Sequence, residues 1–165
     1  MLASISNNQI TDNQTLCYGD IAANLNGLLP SGGEPGVYAY QWQMQPDSSA
    51  WELMQDSVSQ HLLLSSHTAS INYRRIVTSG DCIDTSNMVG IEVFPLIVQN
   101  TIFPDTNICY GTSAGTLKAD EVSGGTGAYA YQWLLSTDSV NYNPISGAND
   151  SVYPTENLTV NSWFK

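Results

Sequence analysis

The feature that most constrains this chain is that it repeats itself. Thr15-Leu16-Cys17-Tyr18-Gly19 returns as Asn107-Ile108-Cys109-Tyr110-Gly111, and Ser31-Gly32-Gly33 returns as Ser123-Gly124-Gly125. Tyr38-Ala39-Tyr40-Gln41-Trp42 returns as Tyr129-Ala130-Tyr131-Gln132-Trp133. The offset is 92 residues for the first two blocks and 91 for the third, a difference of one loop residue. Agreement in both order and spacing makes coincidence implausible. It defines a tandem array with a period of about 90 residues, the size of one small β-sandwich domain. The expected division is 1–97 and 98–165.

Composition says what each period is made of. Ser, Thr, Asn, Gln and Gly dominate the polar set, and these residues favour turns and strands over helices. The 13 Gly and 7 Pro sit between apolar stretches, where they punctuate a β protein. Strands are expected at Ile5 to Ile10, Gln14 to Tyr18 (extended by Leu25 to Leu29), Val37 to Met44, Trp51 to Met54, His61 to Leu64, Ile71 to Thr78 and Met88 to Phe94. The cluster Gly32-Gly33-Glu34-Pro35-Gly36 reads as a loop. The clearest strand alternates Tyr38, Tyr40, Trp42 and Met44 on one face, and the second period does the same with Tyr129, Tyr131, Trp133 and Leu135. Trp42 and Trp133 are therefore expected as core aromatics, although the same rows could form a platform for a sugar. Val89, Ile91 and Val93 give the last strand an inward face. Strands about ten residues apart with turn signals between them indicate a sandwich.

Charge removes several partners. Fifteen acidic residues against four basic ones give a net charge of −11. A nucleic acid is excluded as partner, because phosphates need a basic surface. No apolar run approaches the ~18 residues of a membrane span, so no membrane insertion is expected. Met1-Leu2-Ala3 does not open a signal peptide, so any export signal is expected upstream or already removed.

No enzyme is expected. His61 and His67 are the only histidines, and no P-loop or dinucleotide fingerprint occurs. Asp81, Asp84 and Asn87 share one loop, but their spacing is not that of a calcium loop. No cofactor and no metal are expected.

Cys17 lies on the second strand and Cys82 just after the sixth, and such strands can face each other across a sandwich core. A Cys17–Cys82 disulfide is expected, worth about 4 kcal/mol by loop-closure entropy, with two buried free thiols as the alternative. It would imply an oxidising compartment. Cys109 is the counterpart of Cys17, and the counterpart of Cys82 would fall beyond residue 165. Trp163-Phe164-Lys165 aligns with Asn72-Tyr73-Arg74, so the second domain is expected to be incomplete at its C-terminal strand. Either the sequence is a fragment of a longer array or a neighbour donates the missing strand.

Taken together, Cys17-Tyr18-Gly19-Asp20, Gly32-Gly33, Tyr38-x-Tyr40-Gln41-Trp42-Gln43, Tyr73-Arg74-Arg75, Ser79-Gly80-Asp81-Cys82 and Ser86-Asn87 resemble the immunoglobulin-like (PKD-like) repeats of large Bacteroidota cell-surface proteins. Those are gliding-motility and adhesin-type proteins exported by type IX secretion. The resemblance implies an all-β chain of two tandem immunoglobulin-like β-sandwich domains. It also implies a non-catalytic stalk or filament of a bacterial cell-surface adhesin, located outside the cell. Expected partners are neighbouring repeats and, as an alternative role, surface glycans. The same lineage implies O-glycosylation at Asp-Ser-apolar sites, here Ser57, Ser139 and Ser151, where ordinary Asp-Ser turn chemistry is the competing account.

Overall fold

The computed structural model describes residues 2–34 and 36–165. The chain divides into two compact units, Met1–Leu96 and Ile97–Lys165. It is all-β, and no helix occurs among the described residues.

Unit 1 contains β1 (Ala3–Ser6), β2 (Ile10–Thr11), β3 (Gln14–Cys17), β4 (Asn26–Gly27), β5 (Ser31–Gly33), β6 (Ala39–Pro46), β7 (Glu52–Leu53), β8 (Ile71–Ser79), β9 (Cys82–Thr85) and β10 (Val89–Phe94). Its main sheet runs β3-β10-β8-β6-β7, with β9 also paired to β8. The other layer is built from the pairs β1–β5 and β2–β4 and from bridges Ile21–Ser66 and Leu25–Leu62. The first segment of the chain thus changes layers between β2 and β3. Asp12, at φ 88°, stands at that crossing.

Alternation puts one side chain in two into the core. β8 turns Tyr73, Arg75, Val77 and Ser79 inward, and β10 turns Val89, Ile91 and Val93 inward. Of these, Tyr73, Val89, Ile91 and Val93 pack with Trp42, Leu25, Leu62, Ile10 and Ala22. Trp42 has no exposed surface, and its indole N–H donates to the Ser59 carbonyl at 2.8 Å. The edge between β9 and β10 is broken at Ser86–Met88. There the Asn87 side chain accepts from the Ile10 amide (2.9 Å) and donates to the Ile10 carbonyl (2.8 Å), so it stands in for a neighbouring strand.

Unit 2 contains β11 (Ile102–Phe103), β12 (Thr112–Ser113), β13 (Thr116–Ala119), β14 (Leu134–Ser136), β15 (Asn143–Pro144), β16 (Val152–Pro154), β17 (Asn157–Leu158) and β18 (Trp163–Phe164). Its sheets run β11-β13-β16, β12-β17 and β15-β14-β18. Several side-chain hydrogen bonds of unit 1 return in unit 2. Trp133 Nε1 donates to the Asp150 carbonyl as Trp42 does to Ser59 (2.8 Å in both). Gln132 reaches the carbonyls of Trp133 and Ile145 as Gln41 reaches those of Trp42 and Met54. Tyr129 caps the Gly124 carbonyl as Tyr38 caps that of Gly32. Even a surface pair is kept: Lys165 lies 4.1 Å from the Tyr142 ring centre, as Arg74 does from that of Trp51.

Three expectations are corrected. The Cys17–Cys82 disulfide is not formed, and all three thiols are free. Cys17 lies beside Phe94, past the Ile71 end of β8, whereas Cys82 is opposite Ser79 at its other end. At ~3.3 Å per residue that places them roughly 35 Å apart along the sheet, where a disulfide needs Cα atoms within ~7 Å. Second, the glycine cluster at 32–36 is not all loop: Ser31–Gly33 is a strand paired with β1, while Pro35 lies outside the described residues. Third, the run from Tyr129 to Leu135 is a strand only from Leu134. In unit 1 the same run is paired with Arg75–Thr78 of β8, and among the described residues no strand of unit 2 pairs with Ala130–Trp133.

Candidate functional site

Two places in the fold are chemically unusual: a buried cation in unit 1 and an open edge in unit 2. The cation is Arg75, which has no exposed surface. It sits at an inward position of β8 because strand alternation puts it there. Its Nε and Nη2 donate to Asn8 Oδ1 at 3.0 and 2.9 Å, its Nη2 to the Leu28 carbonyl at 2.8 Å, and its Nη1 to the Gln60 carbonyl at 2.8 Å. The guanidinium lies 5.0 Å from the centre of the Tyr40 ring and 5.9 Å from that of Trp42. Asn8 in turn donates to the Arg75 and Asp84 carbonyls, at 3.5 and 3.2 Å. Burial pulls the Arg75 pKa down, with the Tyr40 phenol acting the other way. Every neighbour is a neutral oxygen or an aromatic face, so the group ties β8 to the opposite layer and faces no substrate.

The second buried polar pair is His67 and Tyr73. His67 Nδ1 is 2.7 Å from the Ser65 carbonyl, which can only accept, so Nδ1 carries the proton. In the neutral ring Nε2 then accepts from the Tyr73 hydroxyl at 2.9 Å. Burial pushes the Tyr73 phenol up. In unit 2 the two positions are Leu158 and Phe164: both polar members have been exchanged together for apolar ones. His61 is exposed and accepts from the Gly27 amide. Neither histidine stands beside an activated serine with an acid behind it.

The open edge of unit 2 is a cavity of about 660 Å³. It is lined by residues 102–110 and 158–164 together with Leu117. In unit 1 the corresponding space is filled by β10, which pairs antiparallel with β8 and parallel with β3. Thr106–Cys109, the counterpart of β3, belongs to no strand.

Trp42 and Trp133 are both buried, at 0% and 4% exposure, which removes them from any sugar platform. Ser139 and Ser151 are exposed, Ser139 in a turn at φ 62°, and Ser57 is half-buried with its carbonyl accepting from the Trp42 amide. Asn87 spends its amide on Ile10, so its oxygen is not free for a cation. Among the described residues no three His, Cys, Asp or Glu side chains gather to hold a metal. In the sequence Arg75 stands out only as part of the Tyr73-Arg74-Arg75 motif. The available signal was an arginine in phase with Tyr73 and Val77 on an alternating strand.

The geometry thus defines a class: a tandem all-β sandwich repeat protein whose unusual buried groups serve packing. The sequence profile of a family described as "Domain of unknown function (DUF8696)" matches residues 6–95 and again residues 98–165. The chain belongs to that family. No curated protein matches it.

Proposed function

We propose that this chain is a non-catalytic, load-bearing repeat module of an extracellular bacterial surface stalk or filament of the adhesin type. The observation that carries the reading is the pairing of β3 with β10. These strands lie near the two ends of unit 1 and run parallel, in register from Gln14–Ile91 to Cys17–Phe94. A pull on the two ends loads this pair in shear, so its hydrogen bonds must fail together and not one after another. The Asn87 latch and the Arg75 cage tie the same region across the layers. The repeated hydrogen-bond frame, with its differing loops, also suits a spacer better than a catalyst. The acidic surface keeps neighbouring stalks apart. With no disulfide, resistance rests on strand pairing and burial alone.

The test is surface exposure on cells of the source organism. Protease added to intact cells should remove the chain while a cytoplasmic marker is spared. A chain that survives until the cells are lysed would overturn the reading. Peptide mapping of the same material should find glycan on Ser139 or Ser151, whose side chains are free in solvent, before the half-buried Ser57.

A further inference from the structure

We propose that the outer face of the main sheet of unit 1 carries a binding site for a neutral carbohydrate, centred on Gly90. A hollow of about 600 Å³ opens there, within the size range of small-ligand sites. Alternation decides what lines it. Val89, Ile91 and Val93 point into the core, so Gly90 and Glu92 point outward. Gln45, Asn72 and Gly90 form one row across β6, β8 and β10, and Thr15 of β3 lies opposite Glu92. These residues line the hollow together with Asp47, from the turn after β6.

Three observations point to an occupant. The first is the glycine. Gly90 sits inside a strand, where the lack of a side chain weakens the sheet and marks a place of close approach. Its φ lies outside the left-handed region, so the backbone does not require glycine. A Cβ there would stand 3.2 Å from Asn72 Oδ1 and would take up room in the hollow. The second is a released carboxylate. In unit 2 Asp138, the counterpart of Asp47, is used in closing its own turn, where it accepts from Ser136, Val140 and Asn141. In unit 1 that turn closes without the carboxylate. The Ser49 amide donates to the Pro46 carbonyl and Gln45 Nε2 to the Ser49 carbonyl, both at 2.8 Å. Asp47 is left exposed beside the hollow. The third is that the lining groups hold one another loosely. Asn72 Nδ2 donates to Gln45 Oε1 at 3.4 Å and Thr15 Oγ1 to Glu92 Oε2 at 3.5 Å, beyond the usual hydrogen-bond range.

The ligand's chemistry follows from the lining. Among the described residues Asp47 and Glu92 are its only charged members, so phosphates, sulfates and uronic acids are repelled. Arg74, the next outward residue on β8, is turned to Trp51 and Gln43. Carboxylates accept, and amides both donate and accept, which matches the neighbouring hydroxyls of a sugar. Unit 2 lacks the site: Trp163 stands in place of Asn72, opposite Ser136 in place of Gln45. The inference adds a binding role to the load-bearing one and does not rest on it.

The experiment titrates the intact chain with cellobiose, maltose, lactose and mannobiose and follows amide shifts. At least one of these sugars should shift the amides of Thr15, Asn72 and Gly90. Gly90→Val, which suits a strand, should weaken that binding at least about tenfold (~1.4 kcal/mol). Asp47→Ala, in the exposed turn, should do the same, and Trp42 fluorescence should stay native in both variants. A silent titration with all four sugars would overturn the proposal, as would binding that both variants leave unchanged. Shifts produced by calcium chloride and by none of the sugars would overturn it in favour of a cation site.

Discussion

A buried guanidinium with no carboxylate beside it is costly, because burying an unpaired charge carries a penalty of several kcal/mol. Four hydrogen bonds to Asn8, Leu28 and Gln60 offset that cost, since bonds to a charged donor are worth about 1.5–3 kcal/mol each. The cage has one further requirement, at Gly27. A Cβ there would meet Arg75 Nη1 and the Gln60 carbonyl, both far inside contact distance. Unit 2 has Ala119 at the matching place, paired with Ile102 as Gly27 is with Ile10. Gly27→Ala should therefore destabilise unit 1 by about 3 kcal/mol or more, the scale of overpacking combined with a broken buried polar network. Ala119→Gly should cost unit 2 only about 1 kcal/mol or less, chiefly the extra backbone entropy of glycine. Urea titrations followed by tryptophan fluorescence measure both. A neutral Gly27→Ala would mean that the guanidinium can move aside and that the cage is not rigid. The paired exchange of His67 and Tyr73 for Leu158 and Phe164 obeys the same rule. Removing one polar partner strands the other in the core, whereas replacing both is tolerated.

At the scale of elements, what could be read from the sequence was what is local. The alternation of β6, β8 and β10 is a period-two signal carried within each strand, and the inward faces of Trp42, Val89, Ile91 and Val93 follow from it. Strand height along the sheet is not local, and the disulfide expectation failed on that point. The cysteines sit on strands of one sheet but at opposite ends of β8, and no pattern within either strand records this. β5 was missed because two glycines look like a turn until β1 is placed beside them. The turn between β14 and β15 shows local chemistry acting fully. Asp138 accepts from the amides of Asn141 (2.8 Å) and Val140 (2.9 Å), from the Asn141 side chain (2.7 Å) and from the Ser136 hydroxyl (2.9 Å). These bonds, the Asn141 amide first, hold its carboxyl well below the ordinary value of 3.8. A carboxyl depressed in the folded state adds stability above its unfolded pKa, and that stability is lost as pH falls toward the folded value. The turn should hold through mild acid and loosen as pH drops below about 4. Asp138→Asn should flatten this dependence. Amide shifts of Val140 and Asn141 followed against pH would show it, and identical titration curves in the two proteins would refute it.

For the whole molecule, the two units share a frame but not a core. Among the described residues the buried apolar side chains of unit 2 are Leu117 and Trp133 alone, while unit 1 buries Ile5, Ile10, Ala22, Leu25, Trp42, Leu62, Tyr73, Val77, Val89, Ile91 and Val93. Burial of one such side chain contributes about 1.5–3 kcal/mol, so the disparity outweighs any difference in loops. Tilted aromatic contacts of Trp133 with Tyr153 and of Tyr153 with Phe164, at 5.7 and 5.8 Å, supply part of what unit 2 has instead. The chain should consequently unfold in two steps, unit 2 first. The early step should be reported by Trp133 and Trp163 and the late one by Trp42. Substituting each tryptophan by phenylalanine in turn would assign the steps. Because the thiols are free, a reductant should move neither midpoint. A single transition seen at the same urea concentration by every tryptophan would contradict the disparity in burial. A late step lowered by reductant would restore the disulfide that the strand register excludes.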